Sequence, residues 1–105
     1  MSTKAKKSDA IKILERISGG PLTFGKMLRA IRLCEESSQA EFAARLGVSK
    51  AHLCDIEKGR RTVGPARAWA WGKKLRYSPE QFVEMAIEAM LENEGLRYRV
   101  RLEVA

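Results

Sequence analysis

Histidine occurs once and cysteine twice among the 105 residues, and no apolar run approaches the ~18 residues of a membrane-spanning helix. Each scarcity removes a class of function. A zinc site converges several His, Cys or carboxylate ligands, and this chain offers one histidine and no Cys-x-x-Cys pair. Neither a glycine-rich phosphate loop nor a nucleophile motif is present, so an enzyme, a cofactor and a metal are not expected. The opening MSTKAKKSDA is basic but has no apolar stretch behind it, which points to a cytoplasmic protein with no membrane partner. In that reducing compartment Cys34 and Cys54 are expected as free thiols.

What the chain has in excess is positive charge. A net charge of +7 and a pI of 9.8 favour a polyanionic partner. The charge is unevenly placed: residues 1–77 carry 17 Lys or Arg against 7 Asp or Glu, a net of +10, and residues 78–105 carry 3 against 6, a net of −3. The length suits one domain with one modest core.

Helical spacing dominates. Ser8 or Asp9 can cap a short helix with Ala10, Ile13, Leu14 and Ile17 inward, stopped by Ser18-Gly19-Gly20-Pro21. Thr23 can cap a second, whose inner face is Phe24, Met27, Leu28, Ile31 and Cys34. Ser38 and Glu41 have capping-box spacing at the head of a short helix with Phe42, Ala43 and Leu46 inward, and Gly47 suits its left-handed end. Ser49 then caps a helix running to Lys58, with Gly59 as terminator. Pro65 suits the first turn of the next, where Ala68, Trp71, Gly72 and Leu75 share the inner face and Trp69 points elsewhere, to solvent or a partner.

Ser78-Pro79-Glu80 opens a last helix with a stripe of Glu80, Glu84, Glu88 and Glu92, expected to keep one edge wet. Its apolar positions cover far more than the ~100° that one core requires, which suggests a second buried contact. LRYRVRLEVA then alternates, with Leu96, Tyr98, Val100, Leu102 and Val104 on one side and Arg97, Arg99, Arg101 and Glu103 on the other, the pattern of a half-buried strand. A strand with no partner in its own chain is a template for another copy, so a twofold dimer is expected with Met90, Leu96, Tyr98, Val100, Leu102 and Val104 in its interface. The alternative is a frayed tail on a monomer.

A helix, a glycine turn and a second short helix form the helix-turn-helix arrangement. The stretch SQAEFAARLGVSKAHLCDIEKGRR resembles the lambda-repressor/Cro type, or XRE family, of such domains. The resemblance rests on Gln39, Ala43, the Leu46-Gly47-Val48-Ser49 turn, Leu53, Ile56, and Glu57 followed by Gly59, and it covers about residues 22–77. It implies an all-α fold, a five-helix lambda-repressor-like domain with the C-terminal β-strand pairing across a dimer. The chain then divides into a basic tail and short helix at 1–21, the DNA-binding domain at 22–77 and a dimerisation segment at 78–105. Family usage also implies a structural pairing of Arg32 with Glu57. Glu36 and Ser37 depart from the family's usual glycine and apolar residue, and Arg76 from the glycine that often ends the fourth helix.

HLCDIE, residues 52–57, gathers the residue types of a metal site, but on a helix they scatter. Counting from Lys50, His52 lies near 200°, Cys54 near 40°, Asp55 near 140° and Glu57 near 340° at about 100° per residue. With Leu53 and Ile56 inward, the outward arc holds Lys50, Ala51, Cys54, Asp55 and Lys58. The resemblance implies base contacts at Lys50, Ala51 and Asp55: a lysine for guanine O6 and N7, an alanine for a thymine methyl, a carboxylate for cytosine N4. Ser38, Gln39, Ser49, His52, Arg60, Arg61 and Thr62 are candidates for the DNA backbone.

The expected function is a dimeric transcriptional repressor that binds double-stranded DNA at a palindromic operator through the helix at 49–58. The alternative is an antitoxin that neutralises a small toxin protein and represses its own operon, a role the resemblance allows. An adaptor that uses the fold without DNA fits the net +10 of residues 1–77 poorly.

Overall fold

The computed structural model describes residues 11–16 and 22–105, and among these the regular structure is entirely α-helical. After a helical stretch at 11–16 come α1 (Phe24–Cys34), α2 (Gln39–Leu46), α3 (Lys50–Glu57), α4 (Pro65–Lys74) and α5 (Pro79–Asn93). The starts follow the caps. Thr23, Ser38, Ser49 and Ser78 each accept a backbone N–H from the first turn of the helix they precede, and Ser38 and Glu41 complete a reciprocal capping box. Pro65 and Pro79 stand in the first turns of α4 and α5, where a missing N–H costs nothing.

Helices α1 to α5 all end in the same way. A residue with positive φ follows the last turn, and the next N–H reaches back to a carbonyl five residues earlier, as Val48 does to Ala43 at 3.0 Å and Arg60 to Asp55 at 2.8 Å. The positive-φ residue is Gly47, Gly59 and Gly95 at three ends, but Glu36 (φ 54°) and Arg76 (φ 64°) at the other two. Those two are the positions where the sequence departs from the family's glycines.

The chain divides after Arg61 into two compact units. In the first, α3 packs against both α1 and α2, and Met27, Leu28, Ile31, Phe42, Leu53 and Ile56 are almost wholly removed from solvent. Each such side chain contributes about 2 kcal/mol of apolar burial. In the second, α4 packs on α5, burying Ala68, Trp71, Leu75, Phe82 and Ala86. Trp71 is 4% exposed and Trp69 42%, with the Lys73 ammonium 4.8 Å from the Trp69 ring centre.

Several expectations change. Cys34 is exposed, not core: it is the last residue of α1, where the chain turns away. Ile13 is exposed as well, while Ile11 and Leu14 are the buried pair of the first helical stretch. Ser8, Asp9, Ala10, Ile17 and the stop at 18–21 lie outside the described residues.

The C-terminal β-strand is not seen. A ladder needs a second strand, and the described residues of this chain supply none. The segment instead runs back along α5: the Val100 N–H donates to Glu88 Oε2 and the Leu102 N–H to Glu84 Oε2, both at 2.9 Å. Two of the four stripe glutamates therefore bind backbone. Beyond the α4 contact, Ile87, Ala89, Met90 and Leu91 of α5 stay half-exposed.

Candidate nucleic-acid interface

The first unit is held in shape by one buried carboxylate. The Glu57 side chain, 2% exposed, receives Arg32 Nε on Oε2 at 2.8 Å and Arg32 Nη2 on Oε1 at 3.0 Å. Gln39 Nε2 donates to the same Oε1 at 3.1 Å, and Arg32 Nη1 donates to the Ser37 carbonyl at 3.2 Å. The network joins α1, the α1–α2 loop, the head of α2 and the end of α3. The bond to Glu57 raises the Arg32 pKa above its ordinary value, against the opposing effect of burial. A bidentate Arg–carboxylate pair sets direction as well as distance, so it fixes how α3 sits on the other two helices.

Gly25 adds a second constraint. A Cβ at this position would stand 2.1 Å from the Ile56 carbonyl oxygen and 3.0 Å from that of Glu57, so the head of α1 meets the last turn of α3 backbone to backbone. A glycine in the first turn of a helix, where it lowers helix propensity, was the available signal for this contact.

With Leu53, Ile56 and Glu57 buried, the other side of α3 is open: Lys50, Ala51 and Lys58 are exposed, and His52, Cys54 and Asp55 are half-buried. HLCDIE thus divides its chemistry between the two sides, and among the described residues no three His, Cys, Asp or Glu side chains gather as metal ligands do. Asp55 lies 3.6 Å from Arg60 Nη1, brought there by the turn that bonds the Arg60 N–H to the Asp55 carbonyl. Arg60 is exposed and Asp55 only partly covered, so the pair is weak and exchangeable.

The remaining candidates are placed as follows. Ser38 and Ser49 use their oxygens to accept the N–H of Glu41 and His52, and the Ser38 hydroxyl is also engaged by the Glu41 carboxylate. Gln39 spends one amide hydrogen on Glu57 and keeps the other, an inward role that its position at a helix head does not announce. Arg60 and Arg61 are exposed in the loop after α3, and Thr62 is half-buried at the start of the second unit. Met90 and Val100 are half-buried, and Leu96, Tyr98, Leu102 and Val104 are exposed.

No helix among the described residues is long and apolar enough to cross a membrane. No curated protein and no solved structure matches the chain. A family model described as helix-turn-helix matches residues 28–82, more than half the sequence, and takes in the whole of α2, its turn and α3. The chain belongs to the XRE/Cro/C1-type helix-turn-helix family of DNA-binding domains.

Proposed function

We propose that the protein is a transcriptional repressor that binds a palindromic operator as a dimer, with α3 in the major groove of each half-site. The observation that carries this reading is the open side of α3, where Lys50 and Ala51 project next to Asp55 while the opposite side is locked by Glu57. Lys50 reads guanine, Ala51 a thymine methyl and Asp55 a cytosine amino group. Ser38, Gln39, Ser49, His52, Arg60, Arg61 and Thr62 hold phosphates and set the register without reading sequence. The net charge of +10 over residues 1–77 supports the electrostatic part of the affinity.

Selection of bound sequences from a random DNA pool, followed by gel shifts at moderate salt, tests this. The expected result is saturable, sequence-selective binding to two inverted half-sites about 34 Å apart, or a multiple of that. Binding with no sequence preference sinks the reading.

The exposed apolar segment around Tyr98 also fits an antitoxin that holds a toxin and represses its own operon. A toxic reading frame beside the gene, with growth restored on coexpression, is the outcome that selects it.

A further inference from the structure

Asp55 is the one acidic side chain on the open side of α3, and the structure places a cation against it. A carboxylate carried into the major groove stands in the field of the phosphates, so leaving it there without a partner is unfavourable. Two partners suit it. One is the cytosine N4 amino group, and the other is the Arg60 guanidinium, whose Nη1 lies 3.6 Å from Asp55 Oδ1. The turn after α3 secures the second. Gly59 takes φ 78°, and the Arg60 N–H donates to the Asp55 carbonyl at 2.8 Å, which keeps the Arg60 backbone beside Asp55 while its side chain, 66% exposed, can turn outward.

We propose that Arg60 is a switchable counterion for Asp55: it shields the carboxylate where the base does not, and turns to a phosphate where cytosine takes its place. The inference rests on the proposed function, in which Asp55 reads cytosine and Arg60 holds a phosphate. On a matching half-site the N4 amino group donates to Asp55 and releases Arg60 to the DNA backbone. Guanine at that position presents only the N7 and O6 acceptors, so Asp55 keeps Arg60 and the phosphate contact is not made. The pair thereby softens the repulsion that an acidic residue brings to non-matching DNA. Its loose geometry permits the exchange, since an exposed ion pair is worth at most about fivefold in an equilibrium constant. The buried Arg32–Glu57 pair, with two short hydrogen bonds, does not exchange in this way. Arg61 is the contrast within the same loop: it is exposed, and among the described residues no carboxylate pairs with it, so its contact does not depend on the base.

Gel shifts over a range of salt test the exchange. Selection from a random pool with the natural chain and with Asp55→Ala identifies the cytosine that depends on Asp55, and a second probe carries guanine there in one half-site. For the natural chain the salt dependence is expected to be steeper on the cytosine site by about 0.9, the share of one phosphate. Arg60→Ala is expected to remove that difference and to weaken the guanine site more than the cytosine site, which sharpens discrimination about fivefold. Arg61→Ala is expected to weaken both sites alike. In an Asp55→Asn background, Arg60→Ala is expected to do the same as Arg61→Ala, because no carboxylate is left to shield.

The outcomes separate the two claims. Binding with no sequence preference overturns the proposed function and this inference with it. A cytosine preference that depends on Asp55, combined with equal salt slopes in the natural chain or with an Arg60→Ala variant that weakens both sites alike, overturns the exchange alone and leaves the proposed function standing.

Discussion

Arg32 and Glu57 lie 25 residues apart in sequence and meet through two hydrogen bonds of 2.8 and 3.0 Å, with Glu57 almost completely buried. Removing one partner strands the other charge out of water. Arg32→Ala or Glu57→Ala is expected to cost about 3 kcal/mol, measured by urea unfolding. The loss of DNA affinity at temperatures where the variants stay folded should be smaller, because neither residue is on the open side of α3.

Glu36 and Arg76 hold left-handed backbone at helix ends where Gly47, Gly59 and Gly95 do the same without a Cβ. Glu36→Gly and Arg76→Gly are each expected to stabilise the fold by about 0.5–1 kcal/mol, seen as a raised Tm. If both lower Tm, the strain argument for these turns is wrong.

Gly25→Ala tests the close approach of α1 and α3. Its methyl group would press on the Ile56 carbonyl, a backbone atom that moves only if the end of α3 moves. The expected loss is about 3 kcal/mol. Gly64→Ala is the control, since a Cβ there meets nothing within 4 Å and the backbone is not left-handed; an equal loss in it would mean that the close approach is not the cause.

Glu41 carries a pH dependence. Its bonds to the Ser38 N–H and hydroxyl lower its pKa below the ordinary glutamate value. A lowered folded pKa stabilises the protein above the unfolded value, and that stability is lost as pH falls through the folded value. Unfolding followed from neutral to acid pH should show this loss in the natural chain. Glu41→Gln should remove that part of the slope while changing little at the acid end.

On DNA, Lys50→Ala is expected to relax base preference at one position of each half-site. Arg61→Ala is expected to weaken binding to every sequence alike and to flatten the salt dependence by about 0.9 for each phosphate no longer neutralised. Gel shifts on the selected site and on single-base variants, over a range of salt, separate the two effects.

The helices and most of their inner faces were legible in the sequence because their determinants are local. A cap bonds an N–H three residues on, as Ser38 does with Glu41, and the inward positions of α2 to α4 follow from spacing alone. The open side of α3 was legible for the same reason. Cys34 and Ile13 were misplaced because spacing assigns a face and cannot say whether anything covers it at the end of an element.

By itself, then, the sequence determined where α1 to α5 begin, where α2 and α3 end, which side of α3 faces outward, and the alternation of the C-terminal segment. Tertiary structure decided where the long-range polar groups go. Gln39 turns to Glu57 across 18 residues, and Glu88 and Glu84 reach amides 12 and 18 residues away. A carboxylate or amide side chain is equally at home in water, so no periodicity marks it for a partner. Only the packed chain, by removing water from Glu57 and laying residues 100–102 along α5, makes those bonds the favourable choice.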